Sequence, residues 1–74
     1  MNMEQYRNLS GKSSIQGYEI RPTFIIVRFK KTSREYVYSY KSAGKENVEN
    51  MKELAKQGLG LNSYIMRHVR NRYE

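Results

Sequence analysis

The apolar positions of this chain change period once, near the middle. Between Thr23 and Tyr40 apolar and aromatic residues tend to alternate with polar ones, and from Val48 onward they recur every three or four residues. A period of two belongs to a strand with one buried face, and a period near 3.6 to an amphipathic helix. The Thr23–Tyr40 stretch is the densest, with both Phe residues and three of the seven Tyr. It predicts two antiparallel strands. In the first, from about Thr23 to Lys30, Ile25, Val27 and Phe29 share one face while Phe24, Ile26, Arg28 and Lys30 share the other. In the second, Tyr36, Tyr38 and Tyr40 share a face, opposite Glu35, Val37 and Ser39.

A two-residue turn at Thr32-Ser33 places Phe29 opposite Tyr36, Val27 opposite Tyr38 and Lys30 opposite Glu35. That register merges the aliphatic and tyrosine rows into one buried face. A three-residue loop would shift the pairing by one and turn the tyrosines outward. Upstream, Ile15 to Ile20 reads as a short strand, and Gly17 inside it marks a bulge or a close backbone approach. Arg21-Pro22 then breaks the run, since proline donates no ladder hydrogen bond. Residues 1–13 are polar and rich in Ser and Asn, and are expected to form a flexible arm that Leu9 could pin to the body.

Lys41 to Gly44 reads as a connector. From Lys45 a helix is expected, with Val48, Met51, Leu54 and Ala55 inward and Glu49, Lys52, Glu53 and Lys56 outward, ending at Gly58 as a C′ glycine. After Leu59-Gly60-Leu61, Asn62 or Ser63 caps a second helix of about ten residues. Its apolar face carries Ile65, Met66, Val69 and Tyr73. Arg67 and Arg70 project from the other side with Tyr64 and Asn71, and His68 and Arg72 flank the stripe. The expected architecture is α+β: a three-stranded antiparallel meander followed by two helices on one face (β-β-β-α-α), with residues 14–74 as one domain.

Composition narrows the function. Fourteen Lys and Arg face seven acidic residues, a net charge of +7 on 74 residues, which favours a polyanionic partner. The absence of cysteine removes disulfides, thiolate metal sites and a thiol nucleophile. The first residues lack a signal-like apolar run and no segment is long enough to span a bilayer, so the expectation is a cytoplasmic protein with no membrane partner. No cofactor motif and no metal-ligand spacing occurs.

The residues from about Ser14 to Val69 resemble the KTSC domain, a short module found alone in bacterial proteins and at the C-terminus of some lysyl-tRNA synthetases. The likeness rests on Ser14-Ile15 before Gly17-Tyr18 and on the alternating Ile25, Val27 and Phe29. It continues in Tyr36-Val37-Tyr38-Ser39-Tyr40, in the Val48, Met51, Leu54, Ala55 helix, and in Gly58-Leu59-Gly60-Leu61-Asn62-Ser63-Tyr64-Ile65. Lys31-Thr32-Ser33-Arg34 stands where the family carries an Asn-Gly-like turn, a serine before Gly58 is missing, and Arg70 to Glu74 extend past the last element. The resemblance implies the meander-plus-helices fold. Its bearing on function is slight: it adds an RNA-binding expectation and names no residues.

Three functions follow, each set against a plainer reading in which the charge serves solubility and the rings serve the core. The first is a small binding module that holds nucleic acid, RNA before DNA, through phosphate contacts from Arg28, Lys30, Lys31, Arg34, Arg67 and Arg70, with Tyr64 as a base-stacking ring. The alternative is an adaptor or inhibitor of phage or plasmid type that docks on an acidic protein surface. The third is a metal-independent ribonuclease toxin using His68, with Arg67 or Arg70 on the phosphate and Tyr73 or Glu35 assisting; no second titratable group lies near His68 in sequence. The chain is expected to be a monomer or an edge-strand dimer.

Overall fold

The computed structural model describes residues 3–74. Its centre is a four-stranded antiparallel sheet in the order β1-β2-β3-β4, formed by β1 (Glu4–Gln5), β2 (Ile15–Arg21), β3 (Phe24–Phe29) and β4 (Glu35–Ser39). Three helical elements follow: α1 (Tyr40–Ala43), α2 (Lys45–Gln57) and α3 (Leu61–Tyr64), the last continuing into a π-helical turn at Ile65–Val69. The α+β class and the strands-then-helices order agree with expectation. The sheet has four strands where three were expected, because the supposed arm supplies β1.

The alternation in β3 sets the inner face. Ile25 and Val27 are completely buried, and Tyr38 nearly so, against Val48, Met51, Leu61, Ile65 and Val69 from the helices. All the helices therefore cover one side of the sheet. Arg28, Glu35 and Val37 lie on the opposite side, since residues paired across a ladder point the same way.

The β3–β4 register differs from the expected one. Ile25 pairs with Tyr38, Val27 with Tyr36 and Arg28 with Glu35, a slip of two residues. The chain reverses at Lys30-Lys31, where the Thr32 N–H donates to the Phe29 carbonyl, and the Thr32 hydroxyl accepts from the Arg34 N–H at 3.0 Å. That side-chain bond takes Arg34 out of the ladder, a local competition typical of Thr. A slip of two preserves the faces, so Tyr36 and Tyr38 point inward as expected. Tyr40 leaves the strand and opens α1, whose start is closed by a reciprocal Ser39–Ser42 capping box.

Gly17 does both things expected of it. The ladder shifts between Ile15 and Gly17, a bulge that lets Ile15 and Tyr18 both face inward although they are three apart. A Cβ at Gly17 would also lie 2.8 Å from the Glu4 carbonyl oxygen, which explains why β1 can approach so closely.

The segment expected to be a flexible arm packs into the body. Tyr6 is 3% exposed, its N–H donates to the Gln16 carbonyl, and its hydroxyl accepts the Leu61 N–H at 3.3 Å. Arg7 donates to the Lys56 carbonyl at the C-terminal end of α2, and the Leu9 N–H donates to the Gly58 carbonyl. Leu9 itself is exposed, so Tyr6 is the anchor.

Helix α2 ends at Gly58 in the left-handed region (φ 76°), as the sequence indicates, with its N–H turned back to Leu54 and Ala55. Three helix expectations fail, for Lys52, for the cap of the last helix and for Met66. Lys52 is buried, its ammonium donating to the Pro22 carbonyl (3.0 Å) and to Glu49 (2.9 Å), so it pins α2 to the β2–β3 turn. Neither Asn62 nor Ser63 caps the last helix, which begins after Gly60, and the Tyr6 phenol takes the first of its free N–H groups instead. Leu61, Ile65 and Val69, four residues apart, form its buried stripe, while Met66 is left 42% exposed.

Candidate nucleic-acid interface

The last helix and the β3–β4 hairpin meet at a cleft of about 430 Å³. The chain brings them together after Val69. The Arg72 N–H closes a turn onto the Val69 carbonyl, and the tail then folds back along β4, where the Glu74 N–H donates to the Val37 carbonyl and the Glu74 carboxylate accepts the Ser39 hydroxyl. Tyr73 is thereby delivered to the sheet. Its ring packs edge-to-face on Tyr36 (centroids 4.7 Å) and Tyr38 (6.1 Å), and Tyr36 packs the same way on Phe29 (5.4 Å). Such geometries let the positive ring edge meet a negative ring face.

These four rings line the cleft together with Lys31 and Thr32 from the hairpin and Met66, Arg70 and Asn71 from the helix end. The Arg34 guanidinium lies 5.0 Å from the Tyr36 ring centre and 5.6 Å from that of Tyr73, within cation–π range. Stacking by a face leaves the N–H edge of the guanidinium available to an anion. No acidic side chain lines the cleft. Burial, reinforced by Tyr36 and Tyr73, pushes the Tyr38 phenol up to about 12, so it adds no negative charge near neutrality.

The seven candidate residues do not gather at one place. Lys31 and Arg70 line this cleft and Arg34 covers two of its rings. Arg28 projects on the far side of the sheet into a separate depression with Met3 and Gln16, its Nε buried without a partner. Lys30 borders a third groove beside Arg7. Arg67 is exposed on the last helix away from the cleft lining.

Tyr64 corrects the expectation of a free stacking ring. It is half-buried between helices, its hydroxyl donates to Asn47 (2.7 Å) and accepts from Asn50 (3.1 Å), and His68 packs against its ring at 4.4 Å. The ribonuclease constellation is not assembled either. His68 sits on Tyr64, Tyr73 is in the cleft, and Glu35 is on the outer face of the sheet.

Among the described residues the ion pairs are Arg21–Glu19, Lys52–Glu49 and Lys56–Glu53, so none of the six candidate cations is neutralised by one. The described residues contain no group of three His, Asp or Glu side chains able to hold a metal ion, and no helix long and apolar enough to cross a membrane. Sequence reasoning assigned none of the four rings to this cleft, nor Asn62, Met66 or Asn71. The one available signal was Tyr73 four residues beyond Val69 with Arg70 between them.

Comparison with protein-family models, with curated proteins and with solved structures gave no match.

Proposed function

We propose that this protein is a small nucleic-acid-binding module, with RNA as the first candidate, that holds its partner through phosphate contacts centred on Lys31, Arg34 and Arg70. One observation carries the reading: three cations free of ion pairs border an aromatic-lined cleft that has no acidic lining. Uncompensated cations over apolar walls concentrate positive potential where a polyanion can reach it. Arg67, also exposed, and Lys30, around the hairpin, extend the basic surface beyond the cleft. Arg28 lies on the other side of the sheet and drops out of the interface. The likeness to the KTSC domain points in the same direction.

The test is a titration of a short RNA at two salt concentrations. Each phosphate contact contributes a slope of roughly 0.7–0.9 in log affinity against log salt, so replacing Lys31, Arg34 and Arg70 together by Ala flattens the slope by about 2. A control that removes three exposed charges elsewhere, Lys12, Lys41 and Lys45, changes it far less. Equal losses in both triple variants would mean diffuse charge and no interface. Absence of binding at low salt, together with an acidic protein that co-purifies and whose binding depends on the same three residues, would turn the reading to a protein-docking adaptor.

A further inference from the structure

Phosphate contacts account for the cations of the cleft and leave its interior unexplained. Tyr38 is buried and serves the core, but Phe29, Tyr36 and Tyr73 are only partly covered and Met66 beside them is exposed, an apolar surface that neutralising a backbone does not require. We infer that the cleft is a pocket for a single unpaired nucleotide, which it holds by its base as well as its phosphate. This rests on the nucleic-acid reading above and adds the class of strand it takes.

The walls suit a base. Phe29 and Tyr73 each pack edge-to-face on Tyr36, so the ring surface they offer is held in place and loses little freedom on binding. Every nucleobase has a π-face that can stack on such a surface. Met66, 42% exposed at the cleft, supplies a polarizable side chain that adapts to a flat ring.

The polar groups suit its edge. Asn62 lines the cleft and accepts the Ser14 hydroxyl through Oδ1 at 3.2 Å, which leaves its amide N–H groups without a hydrogen bond to the described residues. The Asn71 side chain is exposed and makes no hydrogen bond to the described residues, so it offers both a donor and an acceptor. A planar amide of that kind matches the paired donor and acceptor on a base edge. Lys31 on the hairpin and Arg70 on the helix end then stand as the phosphate ligands. The volume, about 430 Å³, is in the range of sites for small ligands and has no room for a duplex. In a duplex the bases are stacked on one another and cannot enter.

The experiment compares a ten-nucleotide single-stranded RNA of mixed sequence with its duplex at one ionic strength, by fluorescence anisotropy. The single strand binds about tenfold tighter, the effect of one stacked base. Asn71→Ala and Tyr73→Leu leave the net charge unchanged, so each weakens single-strand binding about fivefold or more without altering the salt slope. Asn71 is exposed, so its variant keeps the fold even if Tyr73→Leu does not; a thermal melt of each checks this. Equal affinity for strand and duplex, with Asn71→Ala behaving as wild type, would overturn the nucleotide pocket and leave the phosphate reading standing. Failure of both RNAs to bind would overturn both. Adenosine 5′-monophosphate, added at millimolar concentration, shifts the same cleft amides in an NMR spectrum more weakly than the strand does; tighter binding of the mononucleotide would assign the pocket to free nucleotides and remove RNA from the proposal.

Discussion

Tyr6→Ala measures how far the N-terminal segment belongs to the fold. The ring is 3% exposed and belongs to the same cluster as Ile15, Val27 and Leu61. Truncating a buried aromatic side chain to Ala costs about 3–5 kcal/mol, a transfer term plus a cavity term. The phenol adds a second contribution, because it accepts the Leu61 N–H at the start of the last helix. That group has no side-chain cap of its own, since Gly60 precedes it. Tyr6→Phe keeps the ring and removes the acceptor, a loss of about 1 kcal/mol. A 74-residue domain has roughly 4–11 kcal/mol of stability in total, so Tyr6→Ala removes from about a quarter to all of it. The assay is urea unfolding followed by far-ultraviolet circular dichroism, with the denaturant slope checked for constancy. The Phe variant melts about 4–8 °C lower than wild type. If Tyr6→Ala unfolds within about 0.5 kcal/mol of wild type, the docked segment and the capping argument are both wrong.

Three further outcomes test separate parts of the structure. Gly17→Ala drives a Cβ to 2.8 Å from the Glu4 carbonyl and displaces β1; a loss of about 1–3 kcal/mol in urea unfolding is expected, and a neutral effect would contradict the close approach. The Tyr38 phenol, raised to about 12 by burial, keeps its proton in the folded state at pH values where the unfolded chain, near 10, has lost it. That stability is fully present below about pH 10 and is lost as pH rises toward 12, roughly 3 kcal/mol in all, and alkaline unfolding compared between wild type and Tyr38→Phe reads it. Glu49 is held below the ordinary carboxyl value by hydrogen bonds from Lys52 and Tyr40. Its contribution is present above the unfolded value of 4.5 and disappears as pH falls through the lower folded value; Glu49→Gln flattens the acid limb of the stability profile, and an unchanged limb would refute the link.

Particular residues show what could be read in advance and what could not. The inward row of Ile25 and Val27 and the left-handed Gly58 were legible because each depends on a few neighbouring positions: the side-chain period of a strand, and the ease of positive φ in glycine. The faces of Tyr36 and Tyr38 were legible even though the register was displaced by two, because face follows parity and not the particular partner. The displacement itself came from the Thr32 hydroxyl bonding to the Arg34 N–H, a choice that competes closely with a tight turn. Lys52 looked like part of a solvated face, and its burial depends on the Pro22 carbonyl thirty residues away. In the candidate site, Lys31, Arg34 and Arg70 were visible as charges; alternation already set Arg28 on the face opposite Val27 and Phe29, and what no local signal showed was that the cleft would form on the ring side.

The order of letters alone determined the inward faces of β3, β4 and α2, because alternation and helical spacing fix a side chain's direction within one element; it did not determine the burial of Lys52 and Tyr6 or the exposure of Met66. It also determined an excess of positive charge that no arrangement of the chain can cancel. Which elements touch was decided only in three dimensions. Tyr6 under the last helix, Tyr73 on β4 and Arg70 facing Lys31 across a cleft all join positions more than thirty residues apart. Each such contact is a competition among many apolar and charged candidates of similar strength, settled by how the whole core packs and by no property of the residue itself.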